Sequence, residues 1–599
     1  MRSMKINTSF LKYLDPVLAF QLIFPIAMLM VFLIAPLLSV LMVSVEYNPV
    51  NVFTDKTFVS PKPRGQLLFI REISFRGEDI LLLKLQGISL GAILNSIINA
   101  SVVTLCATII GVFVAFILAR YNFPGRSALR IIATIPLLLT PFINAFVIKK
   151  MFDWRDGLIS WFLNDVLHLP IRIGVESLAG VALAQIITFF PIVYLNTHAA
   201  MVNIDPSLEE QAENLGAKGF KLFRTVTLPL SLPGIAAGAA LVFIFSLEDV
   251  AGPIVFNEPR LMSYQIFSMF LEATTGQLSP AAATLALVML IIALIAFMSI
   301  KKYVSLKQYA MLSRGGRWKP RLKKLGKKGL LFIYLVFLPM LLFFAFPQIG
   351  VFIYAFAEQW RGALPEGFTF SHMASIVNDP IVFRGLINSL QYSGLALALI
   401  ILLGVSASYV ASRLSHLPGM DILDMLVTMP IALPGLVIAV GYFFFFKDTP
   451  LSPIALGPAI LLPLAYSVRR LPFTARAVFA GLQQLHMALE EAAMNLGASR
   501  LRVLKDVVLP LIGLNILSGA LISFVYCMSE VSVSITLGGL KGIGEQHQAP
   551  LTFVMKDYIT RVGGPHIVAA LGVLLISVQI AIIVTINYVL KQRYAYIGV

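Results

Sequence analysis

Charge is what this 599-residue chain has least of: Asp, Glu, Lys and Arg make up 13% of it, against about 25% in a soluble domain. With 58% hydrophobic residues and a mean hydropathy of +0.86, that scarcity excludes a soluble globular protein and identifies a polytopic membrane protein. Cysteine is nearly absent. Cys106 and Cys527 both sit in apolar runs and offer no disulfide framework. The seven histidines are scattered, with no H-x-x-x-H pair, which argues against a metal centre built on them. No G-x-x-x-x-G-K-[ST] loop occurs, so the chain cannot cradle ATP by that device. No cluster of acids or histidines offers catalysis. The sequence therefore predicts neither an enzyme nor a bound cofactor. Acids are also outnumbered, 30 against 46 basic residues, for a net charge of +16. Cytoplasmic loops rich in Lys and Arg account for that excess better than nucleic acid does.

What is present is apolar length. A span needs about 20 mostly apolar residues, and twelve stretches qualify: 17–45, 91–119, 128–149, 178–201, 232–256, 280–303, 329–357, 385–412, 421–446, 455–470, 512–537 and 566–590. The shortest, 455–470, holds Pro458 and Pro463. The first run is too long for the core of a signal peptide. With both termini cytoplasmic, the inner loops collect Arg120, Arg126 and Arg130, then Lys218, Lys221 and Arg224, then Arg413, then Arg469, Arg470, Arg476, Arg500, Arg502 and Lys505, then Lys591 and Arg593. The linker 304–328 carries nine basic residues and no acid. It reads as an anchor against anionic membrane lipid.

The longest outer loop, 46–89, contains strand-like stretches around a Gly-Glu-Asp turn, LLFIREISFRGEDILLL, which predicts a small extracytoplasmic β element. The segment 152–177 predicts an interface-lying amphipathic helix with Trp154 and Trp161 at headgroup depth.

Two polar islands punctuate the apolar pattern. EEQAENLGAKGFKLFRTVTLP runs from Glu209 to Pro229, and EEAAMNLGASRLRVLKDVVLP from Glu490 to Pro510. They align without a gap at an offset of 281. Further pairs extend the repeat: Leu94-Asn95-Ser96-Ile97 with Ile387-Asn388-Ser389-Leu390, Pro124-Gly125 with Pro418-Gly419, and Pro136 with Pro430. The chain is an internal duplication in parallel topology. In each island the acidic pair suits a helix first turn. Gly216 and Gly497 read as left-handed helix stops. A second short basic helix follows, and Pro229 or Pro510 starts the next span. Two short helices at an angle suit a groove on a partner protein. The organisation expected is 1–90, first span plus outer loop; 91–303, first repeat; 304–328, linker; 329–384, span plus outer loop; and 385–599, second repeat.

The islands resemble the E-A-A-x-x-x-G-x9-I-x-L-P signature of the membrane subunits of bacterial binding-protein-dependent ABC importers of the type I fold. The first copy reads Glu210-Gln211-Ala212, Gly216 and Leu228-Pro229. The second reads Glu491-Ala492-Ala493, Gly497 and Leu509-Pro510. Gln211 departs from the pattern, and so does Val in place of Ile in both copies. The resemblance implies an all-α fold of about twelve spanning helices in two tandem permease repeats, located in the bacterial inner membrane. It also implies that the islands, with Glu209, Glu490 and the residues just named, couple to two copies of a separate ATPase subunit. A periplasmic or lipid-anchored binding protein would deliver the solute. Fused permeases of this length look most like those for ferric iron, thiamine, polyamines or aminoethylphosphonate.

The same alignment pairs Asp249 with Glu530, each read as lying well along an apolar helix, with Glu248 adjoining the first. Acids inside a membrane face a cavity or a partner. They are candidates for the translocation pathway, as contacts for a cationic solute or as gate and packing residues. An ion-driven secondary transporter is the competing reading, but it has no use for two docking islands.

Overall fold

The computed structural model of the protein describes residues 15–60, 62–138, 141–273, 277–306, 322–360, 362–415, 419–453, 457–540 and 548–585. The basic linker from Lys307 to Arg321 and the terminal basic residues, among them Lys591 and Arg593, lie outside the described residues.

Nine helices among the described residues are long and apolar enough to cross a membrane. They are α1 (Pro16–Tyr47), α2 (Ala92–Arg120), α4 (Ser177–Val202), α5 (Phe220–Glu248), α6 (Pro280–Leu306), α7 (Lys327–Phe356), α8 (Pro380–Arg413), α11 (Arg500–Met528) and α12 (Gly564–Val584). Between them come α3 (Pro141–Met151), α9 (Gly435–Phe446) and α10 (Pro458–Gln484). In the first half α2, α4 and α5 pack on one another; in the second α8, α10 and α11 do the same.

Two expected straight spans are broken. Over 421–446, Met420–Ala432 and Gly435–Phe446 meet at 108°. Leu433 is extended ahead of Pro434, as the residue before a proline tends to be. Over 128–149 the chain forms Arg126–Ile132, Ile135–Leu138 and then α3. The expected span 455–470 is instead the first part of α10, which continues to Gln484 with Arg469 and Arg470 inside it. Those two arginines stop a hydropathy count without stopping the helix. They are not loop residues.

Prolines also behave differently from expectation. α5 starts at Phe220 and α11 at Arg500, well before Pro229 and Pro510. Each helix widens into a π-turn, Phe223–Thr227 or Leu504–Val508, just ahead of the proline. The same happens at Met30–Ile34 before Pro36 and at Ile333–Phe337 before Pro339. A proline has no N–H and its ring crowds the carbonyl four residues back, so widening the turn keeps the helix continuous. The second short basic helix of each island is therefore the start of a spanning helix.

Each half lends its first helix to the other. α1 packs on α6 but also on α8 and α9 of the second half. The Tyr442 hydroxyl donates to Phe32 O at 2.8 Å and Ser39 Oγ to Gly441 O at 3.2 Å. α7 packs on α3, sets Phe332 and Phe337 against Phe113 of α2, and donates from Tyr334 to Pro124 O at 3.0 Å.

A small sheet covers the end of the helices opposite the islands. β1 (Leu68–Phe75) and β2 (Glu78–Leu85) form the hairpin expected within 46–89. β3 (Ile171–Val175) joins β2 in parallel. A short helix does lie within 152–177, from Leu158 to Val166 with a π-turn as its second half, and β3 follows it; Trp161 is in that helix, whereas Trp154 lies ahead of it and packs against Phe75.

Candidate functional site

The repeated Asn-Ser pair acts the same way in both halves. Asn95 Nδ2 donates to Arg260 O at 3.2 Å, and Ser96 Oγ accepts from Met262 N at 2.8 Å. Asn388 Nδ2 donates to Ala549 O at 3.0 Å, and Ser389 Oγ accepts from Leu551 N at 2.7 Å. Each pair thereby fastens the start of a short helix to α2 or α8.

The islands are near copies in three dimensions. Pro206–Asn214 and Ala488–Asn495 are the first helices, followed by Gly216 at φ 88° and Gly497 at φ 90°. In the first island Gly216 N donates to Glu213 O at 3.0 Å and Ala217 N to Ala212 O at 2.9 Å. In the second, Gly497 N donates to Met494 O at 2.9 Å and Ala498 N to Ala493 O at 3.0 Å. A left-handed residue is needed to turn two consecutive N–H groups back onto the helix end, which is why glycine stands there.

Glu209 and Glu490 point inward. Arg120, at the end of α2, pairs with Glu209 at 2.7 Å, and Thr227 Oγ1 donates to the same carboxylate at 2.7 Å. Arg413, at the end of α8, pairs with Glu490 at 2.6 Å, and the Tyr409 hydroxyl donates to it at 2.8 Å. Arg120, Glu209 and Glu490 are buried, and Arg413 is nearly so. These acids and arginines fasten the islands to the spanning helices. Glu210 and Glu491 face outward. So do Leu215, 88% exposed, and Leu496, 90% exposed. Both copies of the repeat thus set a bare apolar side chain at the apex of a polar turn. The sequence reading did not single out either leucine, although their identity in the repeat was available. Ala212 and Ala493 are half-buried, whereas Ala492 is exposed. Leu228-Pro229 and Leu509-Pro510 follow the π-turns within α5 and α11.

A second constellation lies between the halves, around a cavity of about 180 Å³. Asp249 and Glu530 both line it, but neither lies along a helix as expected. Each sits where a spanning helix has just ended and serves the short helix that follows. Asp249 accepts from Ala251 N at 3.0 Å and Gly252 N at 3.3 Å; Glu530 accepts from Val533 N at 3.3 Å. Asp249 otherwise stays within its own half, accepting from Gln185 Nε2 at 2.9 Å. The residue that crosses is Glu248. It accepts from Arg469 Nη2 at 2.6 and 2.7 Å and from Gly435 N at 2.6 Å, all in the second half. Arg469 also pairs with Glu530, which pairs in turn with Arg470. At the 281-residue offset the counterparts of Glu248, Arg469 and Arg470 are Ser529, Thr188 and Phe189. The repeat therefore keeps an acid at Asp249 and Glu530 but not the other three charges. Arg469 and Arg470 escaped the sequence reading because basic residues were read as loop markers.

These features agree with what the chain is similar to. The family model described as the binding-protein-dependent transport system inner membrane component matches residues 107–306 and again 400–595. The ferric transport system permease protein FbpB of Actinobacillus pleuropneumoniae is 27% identical over 523 residues, 86% of this chain and 73% of that protein. A putative ferric transport system permease protein FbpB of Haemophilus influenzae is 28% identical, covering 78% of this chain and 73% of its own length. The molybdenum transport system permease protein ModB of Haemophilus influenzae is 35% identical over 24% of this chain and 62% of its own.

Proposed function

The chain belongs to the family of binding-protein-dependent transport system inner membrane components, with the family domain present twice, and from that premise we propose that its two halves form one passage whose islands dock two separate ATPase subunits. The observation that carries this is the pair of bare leucines, Leu215 and Leu496, on turns of identical closure. The buried pairs Arg120–Glu209 and Arg413–Glu490 give each island a stiff link to the helices of the passage. A push on an island therefore reaches α2 or α8 directly. The islands face the cytoplasm, in keeping with Lys218, Lys221 and Arg224 beside the first and Arg500, Arg502 and Lys505 beside the second. The sheet end then faces outward and receives a binding protein carrying the solute.

Ferric iron is the solute we favour. Two relatives that align with most of the chain are named for ferric transport, and three acids line the cavity between the halves. Energy enters as ATP-driven closure of the ATPase pair, which binds the two arrangements of the islands unequally. An ion-driven secondary transporter gains no support, because nothing in such a mechanism uses paired islands.

The test is co-purification of the chain with its ATPase from cells expressing both. Leu215→Glu with Leu496→Glu is expected to lose the ATPase while the chain stays inserted and melts at an unchanged temperature. Full retention of the ATPase by that double variant would remove the docking role. Uptake of radiolabelled ferric ion into proteoliposomes holding the complex and its binding protein tests the solute.

A further inference from the structure

The two islands are alike in fold and unlike in surface. The first helix of each, with the turn that closes it, carries an outward row at positions i, i+3 and i+7. In the first island the row is Leu208, Gln211 and Leu215; in the second it is Leu489, Ala492 and Leu496. All six are exposed. An apolar row at that spacing is what a groove on a partner takes up. The second island presents it unbroken, whereas a glutamine interrupts it in the first.

The flank of the row differs in the same sense. Met487 and Met494 of the second island are 49% and 38% exposed. At the 281-residue offset Pro206 and Glu213 hold those places in the first, both half-buried. Lys323 pairs with Glu213. The chain entering α7 brings that lysine in, where Lys323 and Lys324 form a short parallel strand with Tyr121 and Asn122 at the end of α2. A partner that covers a methionine gains by removing it from water, and the flexible thioether adapts to the surface it meets. A partner that covers the first flank must take water from a charged pair, and it must satisfy the Gln211 amide or leave it unpaired. Net charge does not offset this, because Glu209–Pro229 and Glu490–Pro510 each hold three acids and three bases.

We infer that the second island is the stronger of the two seats, so that two copies of one ATPase subunit load in order, the second island first and the first island after it. The inference rests on the reading of the islands as docking sites and adds an order to it.

The test titrates the full chain in lipid nanodiscs with its ATPase subunit, free of nucleotide, and reads the stoichiometry by native mass spectrometry. A one-to-one complex is expected to fill before the one-to-two complex appears. Leu496→Glu should weaken the first binding step about tenfold or more, and Leu215→Glu should weaken only the second. Gln211→Ala with Glu213→Met gives the first island the surface of the second and should bring the two steps together. Ala492→Gln with Met494→Glu makes the opposite exchange and should weaken the first step. The melting curve of each variant without ATPase reports its fold. An equal effect of Leu215→Glu and Leu496→Glu on the first step, or a larger one at Leu215, overturns the order and leaves both islands as seats. So does a passage straight from the free chain to the one-to-two complex, and so does a pair of steps that Gln211→Ala with Glu213→Met leaves unmoved. ATPase binding that neither glutamate variant nor their combination weakens removes the docking reading itself.

Discussion

Arg469 of the second half holds Glu248 of the first through a single guanidinium nitrogen, at 2.6 and 2.7 Å from the two carboxylate oxygens. Every described hydrogen-bond partner of Glu248 lies across the interface, since Gly435 N is the other. The pair therefore reports directly on whether the halves are together at this level. Any rearrangement that separates α5 from α10 must first break it or replace it.

Removing one member leaves a buried charge uncompensated, which costs about 3–5 kcal/mol, whereas removing both is far milder. Arg469→Met is expected to lower the melting temperature more than Glu248→Gln, because Arg469 also serves Glu530. The double variant should be less damaged than the sum of the singles. A double-mutant cycle on melting in detergent measures this, and strict additivity would show the two residues to be independent.

The island anchors differ in strength. Arg413 donates to Leu482 O at 3.2 Å and Leu485 O at 3.3 Å besides holding Glu490. After loss of Arg120, Glu209 keeps Thr227 as a donor; after loss of Arg413, Glu490 keeps Tyr409, but Leu485 O loses the guanidinium and Leu482 O is left with Leu485 N alone. Arg413→Ala should therefore reduce stimulated ATPase activity of the assembled complex more than Arg120→Ala. Equal losses, or a larger one at Arg120, would show that these extra bonds contribute nothing to coupling.

Much of this architecture was legible in the sequence, and the misreadings share a cause. Apolar length located the spanning helices, and the 281-residue offset located both islands and the Asp249–Glu530 pair. What failed was the assumption that Pro229 and Pro510 start their helices and that paired charges end one. Pro229 and Pro510 lie inside α5 and α11 because a π-turn absorbs the missing N–H. Arg469 and Arg470 lie inside α10 because Glu248 and Glu530 meet them there. That second fact is a contact between residues more than 200 apart in one case and 60 in the other, and no local pattern contains it. The exchange of α1 and α7 between the halves is equally non-local.

At Gly216 and Gly497 an added Cβ would meet nothing within 4 Å, so the only obstacle to alanine is the left-handed backbone. That strain is roughly 1–2 kcal/mol. Gly216→Ala should leave the island formed but looser, with faster trypsin cleavage at Lys218 and a partial loss of ATPase stimulation. Gly216→Pro also removes the N–H that closes the helix on Glu213, and proline cannot adopt a positive φ. It should abolish coupling while the chain still inserts. Normal stimulation in Gly216→Pro would show that the turn is not needed for docking.

The exchanged helix α1 gives the last prediction. Pro36 has no N–H, so the carbonyl of Phe32, four residues back, loses its helical donor. The Tyr442 hydroxyl of α9 supplies one instead at 2.8 Å. Beside it Gly441 lies so close that a Cβ would stand 2.7 Å from Pro36 O. The contact thus combines a hydrogen bond that α1 cannot make for itself with a backbone approach that only glycine permits. Tyr442→Phe keeps the ring and orphans the carbonyl in an apolar surrounding, at a cost of about 1–3 kcal/mol. Gly441→Ala inserts a methyl where a carbonyl already stands, an overpacking of about 1–3 kcal/mol. Both should lower the melting temperature, and the pair should be less than additive, because a displaced α1 has already lost the tyrosine bond. A cysteine pair at Phe32 and Phe446, whose rings stack at 5.8 Å, that a short bifunctional reagent crosslinks between separately expressed halves would show the exchange directly. Failure to crosslink, with Tyr442→Phe melting like the wild type, would place α1 against its own half.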